Sequence, residues 1–281
     1  MMKLGVYVIN LDRSVDRWAV VHSKAGECGI DVIRVAATDG RELSQKDFRD
    51  VDWKGFARHG GRALLPGEYG CYRSHIGCIS IFLESDFDAA LVMEDDIDIP
   101  ADLVERTIAI LEAVPNADVV KLFNHRSSGF LGIATSVFGD EMGRCLHGPQ
   151  GSAACYVITS RGAAKVLPLL RTMSFPFDVA LERGWHHGAN VLSVRRNVVS
   201  LMNHSRNSQI GKRADYNRAK FFGPKRLPTH LLRAAEYCRR IRYVLEIWES
   251  RWRRPSADSH RLDAPARSSA FARSQHHPTD A

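Results

Sequence analysis

The sequence alternates between short apolar segments and longer segments with the apolar spacing of helices. The apolar segments have the length of buried strands and comprise residues 4–9, 31–35, 88–93, 118–123, 131–138, 153–158, 189–194 and 198–202. Helices are predicted between them at residues 14–28, 44–50, 66–85, 100–113 and 160–171. This alternation predicts an α/β fold, a mostly parallel sheet flanked by helices. Such sheets bind ligands beyond the carboxyl ends of their strands.

Four carboxylates follow the third predicted strand, in the stretch "AALVMEDDIDIP" at residues 89–100. Alternation along a strand would point Glu94 and Asp96 to one side and Asp95 to the other. Because the strand should be buried, the carboxylates cannot all move into bulk water. Hard divalent cations such as Mg²⁺ and Mn²⁺ prefer such oxygen ligands, together with substrate phosphate. The alternative is a solvated acidic loop before a helix starting at Pro100, whose N-terminus favours negative charge.

Polar side chains also follow the first two strands. Asn10, Asp12 and Arg13 come after the first strand, and Asp39 comes after the second. At one edge of a parallel sheet they would be contacts for the base and ribose of a nucleotide. The simpler explanations are a helix entry at Asp12 and a turn at Asp39-Gly40.

The stretch "GEYGCYRSHIGC" at residues 67–78 places reactive groups on one helix face. Glu68, Tyr72 and His75 are spaced by four and three residues, which brings them to the same face. A carboxylate is favourable in a first helical turn in any case. A face with a carboxylate, a phenol and an imidazole is nevertheless expected to border a site. Arg73 would lie off this face, where it could pair with the acidic cluster or with a phosphate.

Cysteine spacing and hydropathy argue against several classes of protein. The six cysteines include no Cys-x-x-Cys pair, so free thiols in a reducing cytoplasm are expected rather than disulfides or a zinc ribbon. No apolar stretch reaches 18 residues and the N-terminal apolar run is short, so neither a transmembrane helix nor a signal peptide is expected. No Gly-rich loop of the G-x-x-x-x-G-K-[ST] kind supports kinase or ATPase chemistry.

The net charge of +7 is concentrated in one part of the chain. Residues 212–254 hold thirteen Lys or Arg and four Asp or Glu, and residues 255–281 hold three of each, so residues 1–211 carry a net charge of −2. We therefore predict a main α/β domain at 1–211, a basic helical appendage at 212–254 and a disordered tail at 255–281.

The appendage has the pattern of a basic amphipathic helix from Pro228 onward. Its apolar positions keep a seven-residue repeat at 231, 234, 238, 241, 245, 248 and 252. Three interpretations are open: the helix docks on the main domain, pairs with a helix of another chain, or lies on an anionic membrane surface through residues 229–254. Nucleic-acid binding is not expected, because no motif supports it.

Three stretches occur in a defined order, namely "VYVINLDRSVDRW" at 6–18, "GEYGCYRSHIGC" at 67–78 and "LVMEDDIDI" at 91–99. This combination resembles glycosyltransferase family 25, the lipopolysaccharide-type galactosyl- and glucosyltransferases related to collagen galactosyltransferases. Less specific similar segments are "GSAACYVITSRGAAKVL" at 151–167, "FPFDVAL" at 175–181 and "NHSRNSQIG" at 203–211. The resemblance covers residues 3–211. It implies a GT-A-like fold, a nucleotide-sugar donor (often UDP-galactose), a divalent metal and inversion at the anomeric carbon.

The resemblance suggests roles for the acidic cluster. Asp96 is the first candidate metal ligand and Glu94 the second, with Mn²⁺ or Mg²⁺ as the cofactor, while Asp95 would orient the neighbouring backbone or the ribose. His204 would complete the ligand set, since neutral imidazole suits Mn²⁺, although a lone histidine is usually structural. The predicted donor contacts are Asn10, Asp12, Arg13, Asp39, Arg73, His75 and Asp95.

Inversion by one displacement needs a base that takes the proton of the acceptor hydroxyl. Asp178 is a lone carboxylate among apolar residues in "FPFDVAL", where partial burial would raise its pKa and suit it to this task. Its alternative role is that of a helix N-cap after Pro176. Glu68 is the second candidate for the base.

The sequence thus predicts a metal-dependent, inverting glycosyltransferase that moves galactose or glucose from a UDP-sugar to a cell-surface glycan, such as lipopolysaccharide or a lipid-linked oligosaccharide. We expect it in the cytoplasm, at the inner face of the membrane if the basic helix binds there. One alternative is another metal-dependent enzyme of nucleotides or phosphate esters, such as a nucleotidyltransferase. The other is a catalytically inactive, basic peripheral membrane protein.

Overall fold

A computed structural model describes residues 2–202 and 213–252 of the chain. The strands are β1 (Leu4–Asn10), β2 (Ile33–Ala36), β3 (Ala89–Glu94), β4 (Ile97–Asp98), β5 (Val119–Lys121), β6 (Phe130–Thr135), β7 (Glu141–Cys145), β8 (Cys155–Thr159), β9 (Val191–Val194) and β10 (Ser200–Leu201). The helices are α1 (Val15–Glu27), α2 (Trp53–Gly60), α3 (Pro66–Leu83), α4 (Leu103–Ala113), α5 (Ser160–Leu170), α6 (Phe177–Leu181), α7 (Gly184–His187), α8 (Arg213–Ala219) and α9 (Leu227–Trp252).

Eight strands form one sheet in the order β2-β1-β3-β8-β5-β9-β7-β6. The pairing registers show that β7 and β8 run opposite to the other six strands. β1 pairs in parallel with both β2 and β3, so the carboxyl ends of these three strands meet at one edge. The predicted α/β fold with a mostly parallel sheet is confirmed. The reversed strands were not predicted, because a strand that is buried on both faces has the same pattern in either direction.

Helices cover both faces of the sheet, because its central strands are apolar on both sides. In β1, Tyr7 and Ile9 face one apolar cluster, and Val6 and Val8 face the other. The first cluster includes residues of α3, α5 and α6, whereas the second includes residues of α1 and α4. β3 alternates in the same way, with Leu91 and Met93 fully buried in the second cluster. The end of β3 is therefore anchored in the core.

Several boundaries differ from those predicted. The helix predicted at 44–50 is a single 3₁₀ turn, Gln45–Asp47, and the helix predicted from Pro100 begins at Leu103. The strand predicted at 131–138 ends at Thr135, since a turn then returns the chain as β7. α2 was not predicted because it has only eight residues; the Asp52 side chain accepts a hydrogen bond from Gly55 N (2.9 Å) at its start.

α9 packs on the α/β unit through a polar face. Glu236 pairs with Arg183 (2.7 Å), and Arg240 pairs with Glu182 (3.0 Å). Glu182 also accepts hydrogen bonds from Lys121 Nζ (2.6 Å) and from the backbone N–H of Gln150 (3.0 Å). Of the three interpretations of this helix, the structure shows contacts only for docking on the chain's own α/β unit, within the described residues.

The apolar repeat of α9 does not make this contact. Leu231 and Leu245 are 66% and 41% exposed, and Cys238 is exposed as well. These three positions of the stripe therefore face outward, and a helix partner or a membrane surface stays a prediction for them. No helix in the described ranges is long and apolar enough to cross a membrane. All six cysteines are free thiols, as predicted, and the tail predicted at 255–281 lies outside the described residues.

Replacing Tyr243 with phenylalanine should weaken the docking of α9. The Tyr243 hydroxyl donates to Ala189 O (2.8 Å) and accepts from Val191 N–H (2.8 Å), so its removal leaves both backbone groups without this partner. We expect the free energy of unfolding to fall by about 1–2 kcal/mol, measured by urea denaturation. Tyr237→Phe is the matched control, because its hydroxyl contacts His147 at an exposed position and should cost under about 0.5 kcal/mol. Equal effects of the two changes would contradict this account.

Candidate active site

A cleft opens at the edge where β1, β2 and β3 end. Its walls come from the first turn of α1, the loop after β2, the N-terminal half of α3 and the end of β3. The loop after β2 packs directly on α3, because Gly40 and Gly70 have no side chains; a Cβ on Gly70 would lie 2.6 Å from Gly40 N. Among the predicted site residues, those that line the cleft are Arg13, Asp39, His75, Glu94 and Asp95.

Asp95 is held away from Glu94 by two polar partners. Its carboxylate accepts hydrogen bonds from Asn10 Nδ2 and from Arg17 Nη1, both at 2.7 Å. Arg34 in turn donates to Asn10 Oδ1 (2.9 Å) and to Asp12 (2.6 Å). Asn10 and Asp12 therefore belong to a network behind the end of β3 and do not line the cleft. Arg17, which lies in the first turn of α1, was not predicted as a site residue.

Glu94 faces His75 and Cys71 of α3. His75 Nε2 lies 3.4 Å from Glu94 Oε1, and its Nδ1 lies 3.2 Å from the Tyr156 hydroxyl. The His75 ring stacks on Phe177 at 4.3 Å. One potential metal-binding atom from each of Cys71, His75 and Glu94 lies within 4.8 Å of the other two. This trio combines a predicted metal ligand (Glu94), a predicted donor contact (His75) and a cysteine that was expected only to be a free thiol.

Cys71 lies near three of the predicted acidic site residues, Glu94, Asp178 and Glu68. Burial, and then the charges of Glu94, Asp178 and Glu68, raise the pKa of its thiol well above the ordinary value. These carboxylates come from β3, α6 and α3, so the fold brings together residues that are far apart in sequence. The sequence around Cys71 contains no local pattern that predicts its proximity to these carboxylates.

The surroundings of Asp96 disfavour its ionised form. Burial, followed by the charge of Glu94, raises its pKa to about 7, against a lowering effect from Arg17. Its Oδ1 is buried and has no hydrogen-bond partner in the described part of the chain. Asp98, by contrast, pairs with Lys24 at the surface. A buried carboxylate oxygen of this kind suits a ligand of a divalent cation, and the assignment of Asp96 and Glu94 as metal ligands stays a prediction.

His204, the third predicted metal ligand, lies outside the described residues. Met202, two residues before His204, lies next to the acidic cluster, because its N–H donates to the Asp96 carbonyl (2.8 Å). β10 also pairs with β4, immediately after the acidic cluster. The role of His204 stays a prediction.

The two candidate bases differ in their partners. Arg62 holds Glu68 in a bidentate ion pair, with Nη1 to Oε2 at 2.5 Å, and Leu65 N–H donates to the same carboxylate. Asp178 accepts from Ser152 N–H (3.1 Å). Burial and then the charge of Glu182 raise the pKa of Asp178, although Lys121 opposes this. Glu68 is thus held by a strong ion pair, whereas Asp178 has only backbone partners among those described; which of the two acts as the base stays a prediction.

Two further side chains of α3 have partners that are not part of the acidic cluster. Arg73 pairs with Asp50 (3.3 Å), in the loop before α2, and not with the acidic cluster. Its predicted role as a donor contact stays a prediction. Tyr72 is buried, as are Glu68 and His75, and its hydroxyl donates to Leu170 O (2.7 Å). It packs the helix rather than serving the cleft.

Tyr216 of α8 is a site neighbour that sequence reasoning missed. The guanidinium carbon of Arg62 lies 5.1 Å from the centre of its ring. Burial, and then the charge of Glu68, raise the pKa of the Tyr216 hydroxyl, with smaller effects in the same direction from Cys71 and Asp178. α8 therefore covers the Glu68 side of the site.

Comparison with known proteins agrees with this architecture. The family described as glycosyltransferase family 25 (LPS biosynthesis protein) matches residues 3–181. A glycosyltransferase 25 family member from Aedes aegypti is 36% identical over 102 residues, 34% of this chain and 17% of the relative. A family member from Anopheles gambiae is 30% identical over 96 residues, which are 33% of this chain and 16% of the relative. A family member from Drosophila melanogaster is 27% identical over 116 residues, which are 40% of this chain and 19% of the relative. The matches span less than a fifth of each relative. Because the family match covers well over half of the sequence, the chain belongs to glycosyltransferase family 25.

Proposed function

We propose that this protein transfers a hexose from a nucleotide sugar to a glycan, with inversion at the anomeric carbon and with Mn²⁺ or Mg²⁺ as cofactor. The donor we propose is UDP-galactose or UDP-glucose. A cell-surface glycan such as lipopolysaccharide is the proposed acceptor, and the matching family's description supports it by naming LPS biosynthesis. The insect relatives do not narrow the acceptor, since their names state only the family.

One observation carries the proposal. Glu94 ends β3 and lines the cleft, and Asp96 follows two residues later with a buried oxygen that lacks a partner among the described residues. Glu94 and Asp96 would hold the cation, which when bound offsets the negative charge that develops on the leaving diphosphate. A parallel-sheet edge of this kind is also where nucleotides bind.

The chain's own residues supply the remaining functions. Asn10 and Arg17 hold Asp95 and so fix the end of β3. Arg13 and Asp39 pair at the mouth of the cleft, where they can contact the base and ribose. The acceptor oxygen bonds to the anomeric carbon as the bond from that carbon to the diphosphate oxygen breaks. Asp178 takes the hydroxyl proton, a role for which its raised pKa suits it.

Calorimetry of donor binding tests the proposal. UDP-galactose and UDP-glucose are titrated into the full chain with Mn²⁺ and, separately, with EDTA. We expect binding only with the metal, followed by slow donor hydrolysis. Binding that is equal in EDTA would contradict the role of the cation. If no member of a wider panel of UDP-, GDP- and CMP-sugars bound under either condition, the transferase function would be refuted.

We also propose that the outward stripe of α9 rests on an anionic membrane, which would place the enzyme at the cytoplasmic face. Leu227, Leu231 and Leu245 are exposed on α9, and Arg239 and Arg242 are exposed on the same helix. Apolar side chains flanked by arginines are the pattern of interfacial helices.

The double change Leu231→Gln and Leu245→Gln should weaken vesicle binding about tenfold, because two apolar side chains no longer enter the lipid. Co-sedimentation with vesicles that contain phosphatidylglycerol measures this. The matched control is Ile81→Gln with Leu169→Gln, two similarly exposed apolar residues on α3 and α5, which should leave binding unchanged. The membrane role would be wrong if the two pairs behaved alike.

A further inference from the structure

A second cavity lies between α9 and the α/β unit. We call it the α9 groove. It is bounded by the C-terminal end of α2, the loop at Gly148-Pro149, the start of α6 and residues 233–240 of α9. Its volume of about 630 Å³ is within the range of small-molecule and oligosaccharide sites. The cleft at Cys71 is a different cavity with different walls.

The α9 groove is strongly basic. Its lining includes five arginines and one glutamate. Three of the arginines have carboxylate partners: Arg62 pairs with Glu68, Arg183 with Glu236, and Arg240 with Glu182. These pairs build the walls and have their charges balanced.

Arg126 and Arg233 are different. Arg126 Nε donates to Pro149 O (2.6 Å), and Arg233 Nη2 donates to Gly60 O (3.2 Å). Both side chains are exposed, and neither has a carboxylate partner within the described ranges. Partial burial and the nearby charges of Arg226 and Arg62 lower the pKa of Arg233. Two guanidinium groups that form no ion pair in the described ranges thus line one groove.

The groove lies beside the proposed base. Pro176 and Val179 line it, and Asp178 lies between them at the start of α6. The charge of Asp178 also reaches Cys71, which lines the donor cleft. Asp178 itself is not among the described residues that line either cavity, but α6, the helix that carries it, forms part of the wall of the α9 groove. An acceptor bound in the α9 groove would therefore lie next to the helix that carries the proposed base.

We propose that the α9 groove binds the acceptor and that this acceptor is an acidic glycan, whose phosphate or carboxylate group contacts Arg126 and Arg233. This inference rests on the proposed transferase function and names the class of its second substrate. Guanidinium groups bind both anions through paired hydrogen bonds. The concave shape and the neighbouring helix α6 favour a sugar chain over a flat membrane surface, which would meet the exposed Leu231 and Leu245 instead.

Calorimetry with defined oligosaccharides tests the inference on the full chain. The probes are tetragalacturonic acid for a carboxylate source, maltotetraose phosphate for a phosphate source, and neutral maltotetraose. At low salt we expect one or both acidic probes to bind at least about tenfold more tightly than the neutral one. Arg126→Gln and Arg233→Gln should each weaken that binding about tenfold, and Arg233→Lys should give an intermediate affinity because it retains the charge.

Arg242→Gln is the matched control, since Arg242 lies on the same helix but is 85% exposed and pairs with Glu246; its affinity should be unchanged. Equal affinities for acidic and neutral probes, or an equal loss in Arg242→Gln, would overturn the inference. UDP-galactose binding with Mn²⁺ is measured on the same samples. Retained donor binding without acidic-probe binding refutes only the acceptor site, whereas loss of donor binding in the unmodified protein refutes the transferase function itself.

Discussion

Asp96→Asn should abolish metal-dependent donor binding and yet make the metal-free protein more stable. The first effect follows from the loss of a charged ligand for the cation. The second follows from the surroundings of Asp96, whose ionised form is disfavoured by burial and by Glu94. An uncharged amide of similar shape removes that penalty while the site contains no cation.

The sign of the stability change depends on pH. The pKa of Asp96 is about 7 in the folded protein, above the ordinary aspartate value that applies in the unfolded chain. The folded state therefore binds more protons than the unfolded state between these values, and stability falls as pH rises through this window. Above the folded pKa the full cost is present, roughly 2–4 kcal/mol. In EDTA at pH 8 the variant should exceed the parent by this amount, and near pH 4 the two should converge.

Thermal unfolding in EDTA and in Mn²⁺ separates the two effects. Mn²⁺ should raise the melting temperature of the parent, because the ion binds only the folded state, and should leave that of the variant unchanged. Asp98→Asn is the matched control: Asp98 lies two residues away and pairs with Lys24 at the surface. It should keep both the response to Mn²⁺ and the donor binding. A full Mn²⁺ response in Asp96→Asn would rule out Asp96 as a ligand.

Asp178→Asn should reduce kcat about 10²–10⁴-fold with little change in donor affinity. This is the usual range for loss of a general base, and Asp178 does not line the donor cleft. Burial raises the pKa of Asp178, so the acid limb of the kcat profile should lie above the ordinary aspartate value. That limb should be missing from the residual activity of the variant.

Glu68→Gln provides the comparison for the base. Glu68 is engaged by Arg62 and by Leu65 N–H, so this change should affect stability more than the pH profile. The roles would be reversed if Asp178→Asn kept normal turnover and Glu68→Gln lost the acid limb. Single-turnover transfer from a radiolabelled donor measures both variants.

The end of β3 could be predicted because its signal is local. An apolar run ending in carboxylates indicates a buried strand that reaches a sheet edge, and alternation along the strand separates Glu94 from Asp95. The structure shows this separation, with Glu94 facing His75 and Asp95 facing Arg17. Spacing on α3 likewise indicated that Glu68 and His75 share a face.

The partners across the site could not be predicted in this way. Arg17, Cys71 and Tyr216 come close to the acids only through the packing of three separate helices. The partner of Arg73 could not be predicted either, because Asp50 lies in a loop whose path depends on tertiary contacts. The face through which α9 docks could not be predicted from the sequence either. Apolar periodicity indicates a buried stripe, whereas this helix is held by Glu236, Arg240 and Tyr243.

The ion pairs of Glu182 limit where the chain can be truncated or joined to a segment of a relative. The family match ends at Leu181, and the very next residue, Glu182, binds Lys121 of the sheet and Arg240 of α9. Removing one partner of a buried ion pair is costly, because the remaining charge stays buried. The shared family segment and the cooperative folding unit therefore have different boundaries. An exchange of C-terminal segments between relatives would succeed only where the incoming helix carries a cation for Glu182, so this position is a compatibility requirement for any chimera.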